Sequence, residues 1–162
     1  MTIAEKIIAF YKSLSIDKVP ENIEVMNPFS DKDTFPITKA FYYKYYHDEL
    51  PRTMILGINP GRFGGGVTGI PFTDPIKLEK ECGITNELAK KPELSADFIY
   101  QMINAYGGPS VFYNRFYISA VSPLGFTKDG KNANYYDIKE LQDGLHDFIV
   151  DCLQRQISFG MV

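Results

Sequence analysis

Apolar residues recur at three- and four-residue intervals over Ile3, Ile7, Ile8, Tyr11 and Leu14, the spacing of one face of an amphipathic helix. Thr2 and Glu5 stand in the Thr-x-x-Glu order of a capping box at its start. A Pro- and Asn-bearing stretch from about Lys18 to Pro36 reads as loop. The aromatic-dense Phe41-Tyr-Tyr-Lys-Tyr-Tyr46 reads as part of a second helix running to His47. Its rings could stack on nucleic-acid bases, but packing under a sheet is the expected fate of so much aromatic surface. Met54 to Ile58 is a continuous apolar run bounded by Pro51-Arg52 and Asn59-Pro60-Gly61, the length and flanks of a buried strand. A short helix is expected near Ile76–Cys82. Another starts at Ser95, with Phe98, Ile99, Met102, Ile103 and Tyr106 on one side, and ends at Gly107-Gly108-Pro109. Phe116 to Val121 reads as a second strand. Asp137 is expected to cap a long helix in which Ile138, Leu141, Leu145, Phe148, Ile149 and Cys152 recur at helical spacing. Alternating strands and helices predict an α/β fold, a three-layer sandwich with a central, mostly parallel sheet. Ligands then bind beyond the carboxyl ends of the strands, where Asn59 and the Ser119–Ser122 region fall.

Composition narrows the picture. With 162 residues, 44% hydrophobic and 14% aromatic, the chain is expected to fold as one domain, residues 1–162, rather than stay disordered. It has no apolar run of transmembrane length and no signal-peptide pattern, so a cytoplasmic protein without a membrane partner is expected. Cys82 and Cys152 fit buried thiols better than a disulfide framework, and His47 and His146 stand without metal-ligand spacing. No metal and no cofactor is expected. The formal net charge of −3 gives no general attraction to phosphates, so nucleic-acid binding would need a local basic face. Arg62, Lys128 and Lys131, in loops flanking predicted strand ends, are the candidates; as single residues they also read as ordinary solvated charges.

The strand end at Ile58 carries the chemistry. Pro60 removes an N–H, Gly61 tolerates positive φ, and the five glycines from Gly61 to Gly69 let the backbone pass close to a ligand. The loop closes on Phe72, behind Pro71. An amide at a strand end, a glycine-rich loop and an aromatic plate make a pocket for something flat. Turn chemistry is the alternative for Asn59, core packing for Phe72, and a hydroxyl-to-backbone bond for Thr68.

Gly57-Ile-Asn-Pro-Gly61, with Phe63-Gly64, Thr68-Gly69 and Pro71-Phe72, resembles the first motif of the single-strand-selective uracil-DNA glycosylases. The shorter Gly-Ile-Asn-Pro-Gly core also occurs in the mismatch-specific branch of that superfamily. Asp74-Pro75 through Gly83-Ile84-Thr85, Phe116 to Phe126 with Pro123-Leu124, and Gly130-Lys131-Asn132 extend the similarity, which runs from about Phe41 onward. The resemblance implies a uracil-DNA-glycosylase-like fold and hydrolysis of the N-glycosidic bond of uracil or a related deaminated base in DNA, with the base flipped out. It assigns the catalytic, water-aiming role to Asn59, whose carbonyl can accept a hydrogen bond from water but cannot act as a general base. It assigns base stacking to Phe72 and base-edge contacts to the backbone at Ile58 and Phe72, with room made by Gly61. The iron–sulfur branches need four cysteines and are excluded by two.

Two departures matter. The family's base-reading Asn aligns with Ala120, with Ser119 one position earlier, so Ser119 is the nearest polar substitute and uracil need not be the base taken. The family's last core strand and its His-Pro motif do not occur in these 162 residues, and His47 and His146 match other parts of the pattern. The expectations are slow or absent excision, an open sheet edge, and pairing of two copies through that edge. The competing readings are a non-catalytic nucleic-acid- or nucleobase-binding domain and a nucleotide-binding enzyme using the glycine-rich loop. The latter lacks the Lys-Ser/Thr ending of a P-loop and the spacing of a dinucleotide fingerprint.

Overall fold

The structure is a computed structural model that describes residues 1–162. The chain runs α1 (Ile3–Lys12), β1 (Ile23–Met26), a 3-10 turn (Pro28–Ser30), α2 (Phe35–Tyr46), β2 (Thr53–Gly57), α3 (Gly65–Thr68), α4 (Pro75–Lys80), α5 (Leu94–Tyr106), α6 (Pro109–Tyr113), β3 (Phe116–Ala120), β4 (Gly125–Lys128), β5 (Lys131–Ala133) and α7 (Lys139–Ile157). The capping box forms as its residues predict: Thr2 N donates to Glu5 Oε2 at 2.8 Å, and Glu5 N to Thr2 Oγ1 at 3.3 Å. The aromatic run of α2 goes to the core, with Phe41, Tyr42 and Tyr46 buried. Tyr46 Oη donates to Phe116 O at 2.9 Å, tying that helix to β3.

β2 and β3 pair in parallel, with Thr53 opposite Phe116 and Gly57 opposite Ala120. This crossover is the α/β element that alternation predicts, and it carries the motif loop at its carboxyl end. β1, β4 and β5 form a separate antiparallel ladder in that spatial order, β1–β4–β5. Parallel pairing is therefore confined to two strands. β1 and the 3-10 turn occupy the Lys18–Pro36 stretch read above as loop. Four residues with one buried side chain leave no periodicity to read.

Two helix readings are corrected. α5 buries Ala96, Tyr100 and Ile103, while Leu94, Phe98, Met102 and Tyr106 face outward. The sequence carries two apolar stripes there, and the polar end of Tyr100 hid the inner one. Its hydroxyl is satisfied inside by Thr73 Oγ1 at 2.8 Å and Tyr113 Oη at 3.0 Å. α7 begins at Lys139 with Ile138 in the N-cap position and no side-chain cap. Asp137 instead accepts from Asn134 N at 2.7 Å, closing the turn after β5. Cys82 and Cys152 are both buried free thiols. No helix is long and apolar enough to cross a membrane.

β2 is not the buried strand that its composition suggests: Ile55, Leu56 and Ile58 are 36%, 41% and 44% exposed. On the side away from β3 it meets only the chain's last residues. Val162 N donates to Arg52 O and Met54 N to Val162 O, both at 2.9 Å, a parallel bridge that reaches no further along β2.

Candidate active site

The carboxyl end of β2, the glycine-rich loop, the start of α5 and the β4–β5 hairpin enclose a cavity of about 590 Å³. Gly57, Ile58, Asn59, Gly61, Phe72 and Ser119 all line it, so five of the sequence's candidates for base or water and the glycine before them converge. The Phe72 ring lies close against Gly57 at the end of β2: a methyl added there would stand 2.9 Å from Phe72 Cζ. Phe72 takes φ +53°, a left-handed conformation that costs a non-glycine residue about 1–2 kcal/mol. The strain aims the ring across Gly57. Ile58 N and Phe72 N donate to no protein acceptor, which leaves two N–H groups available at the cavity wall.

Asn59 is held from two sides. Its Nδ2 donates to Ala133 O at 3.2 Å and its Oδ1 accepts from Tyr135 N at 2.9 Å. The carboxamide thus fixes the segment after β5 against the motif loop, and Oδ1 keeps a second lone pair for water. Ser119 is buried, and its hydroxyl donates to Gln156 Oε1, which also accepts from Tyr117 Oη at 2.9 Å. Its side chain therefore turns into the core. Thr68 follows the structural alternative: its buried hydroxyl donates to Thr73 O at 2.7 Å and accepts from Ile70 N at 3.1 Å.

The three basic candidates gather at one place. Asp129 and Gly130 take φ +51° and +74°, a two-residue hairpin turn with Lys128 paired to Lys131 across it. Arg62 reaches the same turn, donating through Nη1 to Gly130 O and through its backbone N to Asn132 Oδ1 at 2.8 Å. Its guanidinium stacks on Phe63 at 4.5 Å, with Lys91 Nζ 5.5 Å from the same ring. Lys128 and Lys131 are exposed. A cluster of cations therefore stands beside the cavity although the chain is acidic overall.

Asn132, Asn134 and Glu93 also line the cavity and were not singled out from the sequence. The Asp129-Gly130 pair was a legible hairpin signal that would have brought Asn132 and Asn134 forward. Nothing local marks Glu93. It occupies the N-cap position of α5, and its backbone N donates to Asp74 Oδ2 at 2.9 Å. Burial first, and repulsion from Asp74 second, push its carboxyl up to about 6.

Replacing Phe72 by Ala is expected to weaken stacking of a flat ligand in the cavity by about 1–3 kcal/mol. Gly57→Ala should have the same sign, because its methyl displaces the ring. Calorimetric titration of a planar heteroaromatic ligand checks both. Unchanged affinity would make Phe72 a core residue only.

The family model described as "UDG: Uracil DNA glycosylase superfamily" matches residues 43–159. Among solved structures, the crystal structure of wild-type Pedobacter heparinus SMUG2 superposes with a TM-score of 0.95 at 48% sequence identity, over 100% of this chain and 73% of that one. No curated protein matches. The α/β fold and the likeness to the single-strand-selective branch are both borne out by these matches.

Proposed function

The chain belongs to the uracil DNA glycosylase superfamily, and on that premise we propose that it hydrolyses the N-glycosidic bond of uracil or a related deaminated base in DNA. The observation that supports this most is the convergence of Asn59, Phe72 and the free N–H groups of Ile58 and Phe72 on one cavity. In this reading the base is extruded, stacks on Phe72, and offers its carbonyl oxygens to those two N–H groups. Asn59 Oδ1 accepts a hydrogen bond from a water and aims it at the sugar carbon. The water oxygen bonds to that carbon as the C–N bond breaks, its electron pair leaving with the base, and the proton shed by the water passes through solvent to neutralise the base anion. Gly61 leaves the approach clear, and Ser119 forms the back wall. Arg62, Lys128 and Lys131 at the hairpin turn take the phosphates of the strand.

The cavity wall carries no Lys, Arg or His. That favours slow excision, because a departing base anion finds no cation there. It is also the observation behind a second reading, a nucleobase-binding domain of the same fold that holds the base without cleaving it. Single-turnover incubation with single- and double-stranded oligonucleotides carrying uracil or hypoxanthine separates them. Time-dependent abasic-site formation supports the glycosylase. Retention of the oligonucleotide without any abasic product supports the binding domain.

Pairing of two copies belongs to the same proposal. The exposed outer side of β2, with Leu56 and Ile58, is a strand edge without a partner beyond Met54, and such edges invite another strand. A concentration-dependent dimer in light scattering, lost when Leu56 is replaced by Lys, is expected. A monomer at every concentration would end that part of the proposal.

A further inference from the structure

The polar side chains around the cavity are almost all committed to the protein. Asn59 holds Ala133 and Tyr135, Asn132 accepts from Arg62 N, Ser119 donates to Gln156, and Asn134 Nδ2 donates to Tyr136 Oη at 3.3 Å. Glu93 is the one ionisable side chain of the lining. Its carboxyl oxygens accept no hydrogen bond from any protein group, yet they are half-buried against the motif loop. A methyl at Gly61 would lie 2.9 Å from Glu93 Oε2, and one at Gly64 would overlap both oxygens. Two glycines of the motif therefore make room for a carboxyl group, as well as for a ligand. The charged groups around it do not pair with it. Asp74, from the start of α4, repels it; Arg62 and Lys91 stack on Phe63; Lys77 of α4 is bonded to Asp97 of α5 at 2.5 Å. From β5 it faces the uncharged Asn132 near Gly61. Its oxygens stay open to the cavity, where an N–H of a ligand can take the place of water.

We propose that Glu93 reads the base: its carboxylate accepts a hydrogen bond from an N–H flanked by carbonyl oxygens, the imide edge of a uracil-type pyrimidine. In this assignment the two flanking oxygens fall to the N–H groups of Ile58 and Phe72, which have no protein acceptor, and the three groups together would read such an edge. This specifies the substrate class of the glycosylase reading and rests on it. Cytosine turns a lone pair to Glu93 instead of an N–H and is rejected, because two acceptors then face each other.

The sign with pH follows from the ionised form being the acceptor. Glu93 is raised to about 6, so binding is strongest above that pH and weakens as pH falls through it. Asp74 opposes ionisation at all pH values where it is charged.

The test uses the full chain and two small probes, 1-methyluracil, which keeps the imide N–H, and 1,3-dimethyluracil, which has none. Calorimetric titration at about pH 7.5 should show 1-methyluracil bound about ten- to a hundredfold more tightly. That preference should shrink about tenfold at about pH 5. Glu93→Gln keeps an acceptor oxygen and should bind 1-methyluracil more weakly but with no pH dependence. Glu93→Ala should lose the discrimination. Equal binding of both probes by the parent, no binding of either, or a pH-dependent preference that survives Glu93→Gln overturns the assignment. Excision of uracil by the parent, measured beside these titrations, keeps the two readings apart. Excision without imide discrimination sinks only the role of Glu93, and discrimination without excision sinks only the catalytic step.

Discussion

Replacing Asn59 by Ala is expected to slow single-turnover uracil excision by on the order of 10²–10³-fold, the usual cost of removing one preorganised group at a reacting centre. The parent rate is itself expected to be slow, so the comparison needs long incubations with enzyme in excess. DNA affinity should change little, since the phosphate contacts proposed at Arg62, Lys128 and Lys131 are untouched. The structure adds a second consequence. Asn59 bonds Ala133 O and Tyr135 N, so its loss leaves both backbone groups without their partner, at about 1–3 kcal/mol of stability. Asn59→Asp separates the two effects. A carboxylate still accepts from Tyr135 N and from water, but it cannot donate to Ala133 O. It should therefore excise faster than Asn59→Ala while melting below the parent. If Asn59→Ala excises as fast as its parent, Asn59 only fastens the β5 segment and the mechanism fails.

Arg52→Ala is expected to be the most destabilising single change, by about 3–5 kcal/mol, because it empties a fully buried site and leaves three backbone carbonyls and the partly exposed Asp48 without their donor. Arg52 is fully buried immediately before β2. Nε donates to Tyr113 O at 2.9 Å, Nη1 to Asp48 Oδ1 at 3.0 Å and Leu50 O at 2.6 Å, and Nη2 to Asp48 Oδ2 at 2.8 Å and Tyr45 O at 3.4 Å. All five guanidinium N–H donors are used, and the group lies 5.4 Å from the Tyr46 ring. It joins the end of α2, the end of α6 and the start of the motif strand. Arg52→Lys cannot reproduce the fork and should recover little. A loss of 3–5 kcal/mol corresponds to a fall of roughly 6–20 °C in Tm for a chain of this size, read by calorimetry. A fall of only a degree or two would show that the core closes over the site. The same pair gives a pH dependence. Hydrogen bonds from Arg52 hold the Asp48 carboxyl below the usual Asp range. Its contribution is therefore present above the unfolded-state pKa and lost as pH falls through the lowered folded value. Asp48→Asn should flatten the acid limb of the stability curve.

The sequence by itself determined the elements whose signals are local. The capping box of α1, the glycines ending α5 and the apolar run that became β2 are fixed by bonds between near neighbours or by continuous periodicity. Asn59, Gly61 and Phe72 were legible because one loop carries them all. Only the tertiary structure decided the rest, because burial is a property of neighbours in space. β2 reads as a buried strand from its side chains, yet Ile55 and Leu56 are exposed, since pairing on its outer side stops at Met54. Tyr100 reads as polar, yet it defines the inner face of α5 because Thr73 and Tyr113 wait for its hydroxyl. Ser119 reads as a free hydroxyl at a strand end, yet Gln156, a full helix away, takes it. Glu93 reads as one acid among twenty. The fold sets it against two glycines and beside Asp74, while the nearby Arg62 and Lys91 stack on Phe63 instead of pairing with it. That makes an ordinary surface residue type the one ionisable group in the cavity lining.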